Sequence, residues 1–151
     1  MCVSVYPITF LYRQFLELYI KDILLKFDEK FDAKKKSYCQ HDLYNLWHAL
    51  LPIIRENTSE FPAEFGEQTF CDVLIATDAY IAEFSAADHG SLSFRYPDDK
   101  GHNKNFFPNE IPIDLINLRD RIDELANILF LVERTLADLQ TLKSELYNDF
   151  L

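Results

Sequence analysis

From Leu115 onward an aliphatic residue recurs at Leu118, Ile122, Leu125, Leu129, Val132, Leu136 and Leu139, in alternating steps of three and four without a break. No strand carries that period, because strand side chains change face at every residue. The pattern is the a/d stripe of a heptad helix. It predicts a helix from Asp114 to about Asn148, entered after Pro112, and roughly 50 Å long at the α-helical rise. That exceeds what a small bundle needs. Part of it is expected to pack against another chain or to project; otherwise its second half covers the first helix.

Glycine supports the same class. The chain has 3 glycines in 151 residues, against an average usage of roughly 7%. A sheet protein of this size needs many tight turns, and tight turns draw on glycine. With 48% apolar residues the chain can build one sizeable core, and residues 1–151 read as a single domain. No glycine-rich phosphate loop is present.

The formal net charge is −10. It argues against indiscriminate binding to nucleic acid or membrane surfaces, which needs a positive field, and leaves room only for a local basic patch. Cys2, Cys39 and Cys71 are an odd number at wide spacing, which fits a reducing, cytoplasmic setting better than a disulfide framework. The longest apolar runs, near Leu50–Ile54 and Leu129–Val132, are too short to cross a bilayer. The N-terminal stretch lacks the basic start of a signal peptide.

Three further helices are expected. The first runs from Ile8 to Asp28 behind Pro7, with Leu16, Ile20, Ile23, Leu24 and Phe27 facing the core. Arg13, Glu17 and Lys21 form a narrow polar line through it. Such a line reads as i,i+4 ion pairs or as one side of a site shared with another element. Lys34–Lys36 mark a solvated linker. The second helix runs from His41 to Glu56 on a stripe of Leu43, Leu46, Trp47, Leu50, Leu51 and Ile54. His41 is expected to help cap it. His41 and His48 lack the further ligands that a metal site would need, so no metal is expected. The third runs from Pro62 to Ala87, capped by Ser59 and weakened near Gly66, with Phe70, Leu74, Thr77, Ile81 and Phe84 at core spacing.

Residues 88–112 break the pattern. They hold two of the three glycines and three of the six prolines. A connection this long is functional or disordered; Phe94, Tyr96, Phe106 and Phe107 favour an ordered loop. Arg95, Lys100 and Lys104, with His89 and His102, make it the place where an acidic chain would meet an anion. An arginine can clamp a phosphate in bidentate fashion. A histidine can move the proton of a ribose 2′-hydroxyl or of the leaving oxygen. Arg95 and His102 therefore point to phosphodiester cleavage without a metal or other cofactor. The competing reading pairs Arg95 with Asp88, Asp98 or Asp99 to hold the loop.

Three segments resemble the HEPN superfamily, small all-helical domains of prokaryotic defence and toxin systems. FLYRQFLELYIKDIL (Phe10–Leu24) is similar to its helix-one ELxLK pattern. HDLYNLW (His41–Trp47) is similar to the motif opening its second helix. SFRYPDDKG (Ser93–Gly101) is similar to the FRYPxDKxG segment of one bacterial branch. The resemblance implies an up-and-down bundle of four to five helices that forms a homodimer. In catalytic members an arginine–histidine motif from both protomers cleaves RNA at the dimer interface. Arg95 and His102 fit the upper end of that motif's spacing, although Tyr96, Pro97 and Gly101 place them on a loop where the family has a helix. Under this reading Arg95 binds the scissile phosphate, His102 is the general acid and base, and Lys100 and Lys104 hold flanking phosphates. Arg13, Glu17 and Lys21 lie beneath the loop, with Glu17 orienting Arg95. The expected function is a metal-independent endoribonuclease of a defence or toxin–antitoxin system, with RNA or a nucleotide as ligand and an antitoxin or fused effector domain as partner. The alternative is a non-catalytic binding or dimerisation module of the same kind.

Overall fold

The computed structural model describes residues 5–28, 41–57, 66–87 and 115–150, with side chains from 7–28, 41–57, 70–86 and 115–150. It is an all-α bundle of α1 (Val5–Phe27), α2 (Leu43–Glu56), α3 (Gly66–Ala87) and a long α4 (Leu115–Asp149). No strand occurs among the described residues.

The heptad stripe explains α4. Ile122, Leu125, Leu129, Val132 and Leu136 are all buried, and the 35-residue helix keeps its register through them. Beyond Leu139, which is half-buried, every described residue is exposed. The last turns of α4 therefore extend past the core. α1 starts at Val5, slightly ahead of the expected Ile8. Pro7 thus sits in the first turn, where a missing N–H leaves no bond unmade. The start of α3 at Gly66 falls later than Pro62; Ser59 and Pro62 lie outside the described residues, as do Lys34–Lys36.

The helices pack in the order α4, α1, α2, α3. α1 packs against α2 and α4, while α3 packs against α2. Leu16, Ile20, Ile23 and Leu24 of α1 meet the α2 stripe around Trp47 and Leu50 in one core. Along α4, α1 runs in the same direction. Lys26 pairs with Glu133, Tyr19 donates to the same carboxylate, and Tyr12 lies within electrostatic reach of Arg119. Residues 88–114, including the expected ordered loop, lie outside the described residues.

No helix of the described residues is long and apolar enough to cross a membrane. Cys71 is an exposed free thiol; Cys2 and Cys39 are not among the described residues.

Candidate functional site

The polar line of α1 faces inward. Its i,i+4 spacing stacks Arg13, Glu17 and Lys21 on one face. Arg13 and Glu17 are each only 1% exposed and Lys21 5%. Arg13 Nη1 donates to Glu17 Oε2 at 2.7 Å, and Lys21 Nζ donates to Oε1 at 2.7 Å. The i,i+4 pairs form as expected, and the line also engages a second element. His41 Nδ1 lies 2.9 Å from Glu17 Oε1, and Arg13 Nη2 donates to the His41 backbone carbonyl.

The start of α2 determines how His41 reaches α1. Asp42 is the N-cap: its side chain accepts from the backbone N–H of Tyr44 at 3.0 Å and of Asn45 at 3.4 Å. The capping role expected of His41 thus belongs to its neighbour. A carboxylate one residue before the first turn reaches the free N–H groups, while the extended cap backbone directs His41 away from the helix. Asp42 also accepts from Asn45 Nδ2 at 3.0 Å and from Ser85 Oγ at 3.2 Å, which ties this end of α2 to α3.

Burial is the largest influence on the Glu17 carboxyl and pushes its pKa up. Hydrogen bonds from Lys21, His41 and Arg13, with the charge of Lys21, outweigh it and leave the group below its ordinary value. A carboxylate that accepts from three donors is a poor base near neutral pH. Its work is to hold α1 and the entry to α2 in one geometry.

A second polar junction joins α2 to α3. Asp78 Oδ1 accepts from the indole N–H of Trp47 at 3.1 Å and lies 2.9 Å from His48 Nε2, with the Tyr44 ring against His48 at 4.2 Å between centroids. His41 and His48 thus serve different carboxylates. Asp78 was not singled out from sequence, and a lone acidic residue on an otherwise apolar helix face was the available signal. An apolar hollow of about 370 Å³ lies between α3 and α4, lined by Phe70, Val73, Thr77, Tyr80, Leu125 and Ile128 among others. It shares no lining residue with the polar cluster.

Of the sequence-derived site residues, Arg13, Glu17 and Lys21 are therefore together. Arg95, Lys100, His102 and Lys104 lie outside the described residues, and so does the Arg95 side of the expected Glu17–Arg95 contact. Nothing matches this chain among protein-family profiles, curated proteins or solved structures.

Proposed function

We propose that this chain is a HEPN-like, metal-independent endoribonuclease of a prokaryotic defence or toxin–antitoxin system, acting as a homodimer. The observation that carries the reading is the junction of Glu17 and His41. Two of the segments that resemble the HEPN pattern, Phe10–Leu24 and His41–Trp47, are brought together by their own polar residues, with Nδ1 of His41 2.9 Å from Oε1 of Glu17. A shared polar cluster, buried on its α1 side, is a physical reason for both segments to hold those residues.

In this reading a ribose 2′-oxygen attacks the adjacent phosphorus and the 5′-oxygen leaves. His102 takes or delivers the proton. Arg95 neutralises the charge that builds on the phosphate, and Lys100 and Lys104 hold the neighbouring phosphates. In a chain of net charge −10 the contact is confined to a small basic patch and weakens steeply with salt.

The test incubates the purified chain with mixed RNA in EDTA beside Arg95→Ala and His102→Ala. Cleavage by the parent chain and its loss in both variants is the expected result. Cleavage that survives in both sinks the site. No cleavage by the parent favours the second reading, a non-catalytic HEPN-like module that binds a nucleotide or a protein partner. The exposed apolar face of α1, with Leu11, Phe15 and Leu18 open to solvent, is the observation on its side.

A further inference from the structure

α1 carries a second apolar stripe, on the side away from the core. Ile8, Leu11, Phe15, Leu18 and Leu25 are exposed, Leu11 by 63% and Leu18 by 53%. They follow steps of three and four, and the position that completes the series between Leu18 and Leu25 is Asp22. A row of large exposed hydrophobic side chains at helical spacing marks a face that another helix covers.

The end of α4 carries its counterpart. Past the core the heptad continues through Leu139, Lys143, Leu146 and Phe150, flanked by Leu142 and Tyr147. Leu146 is 58% and Phe150 88% exposed. Each stripe is thus apolar and broken by a single charge, Asp22 on α1 and Lys143 on α4. The two charges are opposite. Asp22 is exposed and reaches Lys26 within its own helix at 2.6 Å.

We infer that the terminal turns of α4 dock on the outer face of α1 in a second copy of this chain, reciprocally, in a two-fold dimer. Polarity selects the arrangement. Within one protomer α1 and α4 run in the same direction with Lys26 level with Glu133, so the turns beyond Leu139 lie past the end of their own α1. A two-fold axis along the helices would leave them past the end of the partner's α1 as well. An axis across the helices turns the partner over and lays α4 antiparallel on α1. With Lys143 set against Leu18, one turn from Asp22, Phe15 meets Leu146 and Leu11 meets Phe150. A charge within an otherwise apolar seam fixes register, and a two-fold interface uses each contact twice.

This inference rests on the homodimer in the proposed function and not on its chemistry; a dimer that cleaves no RNA would refute the catalytic reading alone. The test is sedimentation of the full chain across a concentration series without RNA, with helical circular dichroism as a check on folding. The chain is expected to sediment as a dimer. Leu146→Glu, at an exposed position beyond the core, should weaken dimerisation about tenfold or more, as loss of an interface anchor does. Asp22→Lys and Lys143→Asp should each weaken it, and the double variant should regain most of the loss. A monomer at every concentration, a dimer indifferent to Leu146→Glu, or a charge exchange that fails to restore affinity would each overturn the inference. A monomer that binds a different protein through α1 would do the same.

Discussion

Replacing Glu17 by glutamine changes one charge and almost no volume, so it isolates what the buried carboxylate does. In the native cluster Glu17 accepts from Arg13 at 2.7 Å and Lys21 at 2.7 Å and lies 2.9 Å from the His41 ring. An amide offers one acceptor oxygen and turns an N–H₂ toward donors that are already cationic. Each hydrogen bond to a charged group contributes about 1.5–3 kcal/mol, but the three are not additive because they share one carboxylate. Removing one partner of a buried ion pair costs about 3–5 kcal/mol, much of it from the charge left behind. Glu17→Gln is expected in that range. For a chain of this size a kcal/mol moves the thermal midpoint by roughly 2–4 °C, so the midpoint should fall by about 6–20 °C.

Urea unfolding followed by the fluorescence of Trp47 and by circular dichroism measures the loss, and an unchanged slope would assign it to stability. Glu124→Gln, which breaks an exposed pair with Arg121 at 3.0 Å, is the control and should cost under about 1 kcal/mol. The pH dependence has a definite sign. The folded pKa of Glu17 lies below its ordinary value of 4.5. Its contribution is therefore complete above that value and is lost as the pH falls through the lowered folded one. The stability gap between the parent chain and Glu17→Gln should narrow only under acid conditions. A loss below about 1 kcal/mol would refute the reasoning, since it would mean that Arg13 and Lys21 reach water once Glu17 is neutral.

Two further outcomes follow from the same geometry. Burial, with the carboxylate of Glu133 beside it, pushes the Tyr19 phenol up to about 12 from 10.0. The neutral phenol is the form the fold favours, so that contribution is complete below pH 10 and lost as the pH rises through about 12. An ultraviolet phenolate titration should show a late component that is lost in Tyr19→Phe. Asp42→Ala removes the cap of α2 and the bond from Ser85, and should cost about 1–2 kcal/mol by urea unfolding; a change within experimental error would move the cap elsewhere.

The heptad from Leu115 to Leu139 and the stripe from Leu43 to Ile54 determined two helices before any packing was known, because period is a local property of the chain. Scarce glycine made the remainder helical by the same local logic. The polar line Arg13, Glu17 and Lys21 was also visible, but its meaning was not. A three-residue line at i,i+4 spacing looks alike on a wet face and a dry one. Only the approach of His41, 24 residues away, shows that this one is buried and shared. His41 was read as a cap because sequence proximity to a helix start cannot tell which of two adjacent side chains turns back onto its own helix; Asp42 does, and the largely exposed His41 reaches Glu17 instead. Arg95 and His102 remain a reading of residue chemistry and of resemblance.

Sequence alone thus determined what is periodic: four helices, their inward stripes, and a long α4 with more apolar register than one core can use. Tertiary structure decided that the other apolar side of α1, with Leu11, Phe15 and Leu18, is left open to solvent. It also decided that Glu17 collects three donors, and that α1 and α4 run the same way so that the end of α4 passes beyond its own core. These are questions of which surfaces meet. A helical period fixes where side chains point around one axis and carries no information about how that axis lies against the next.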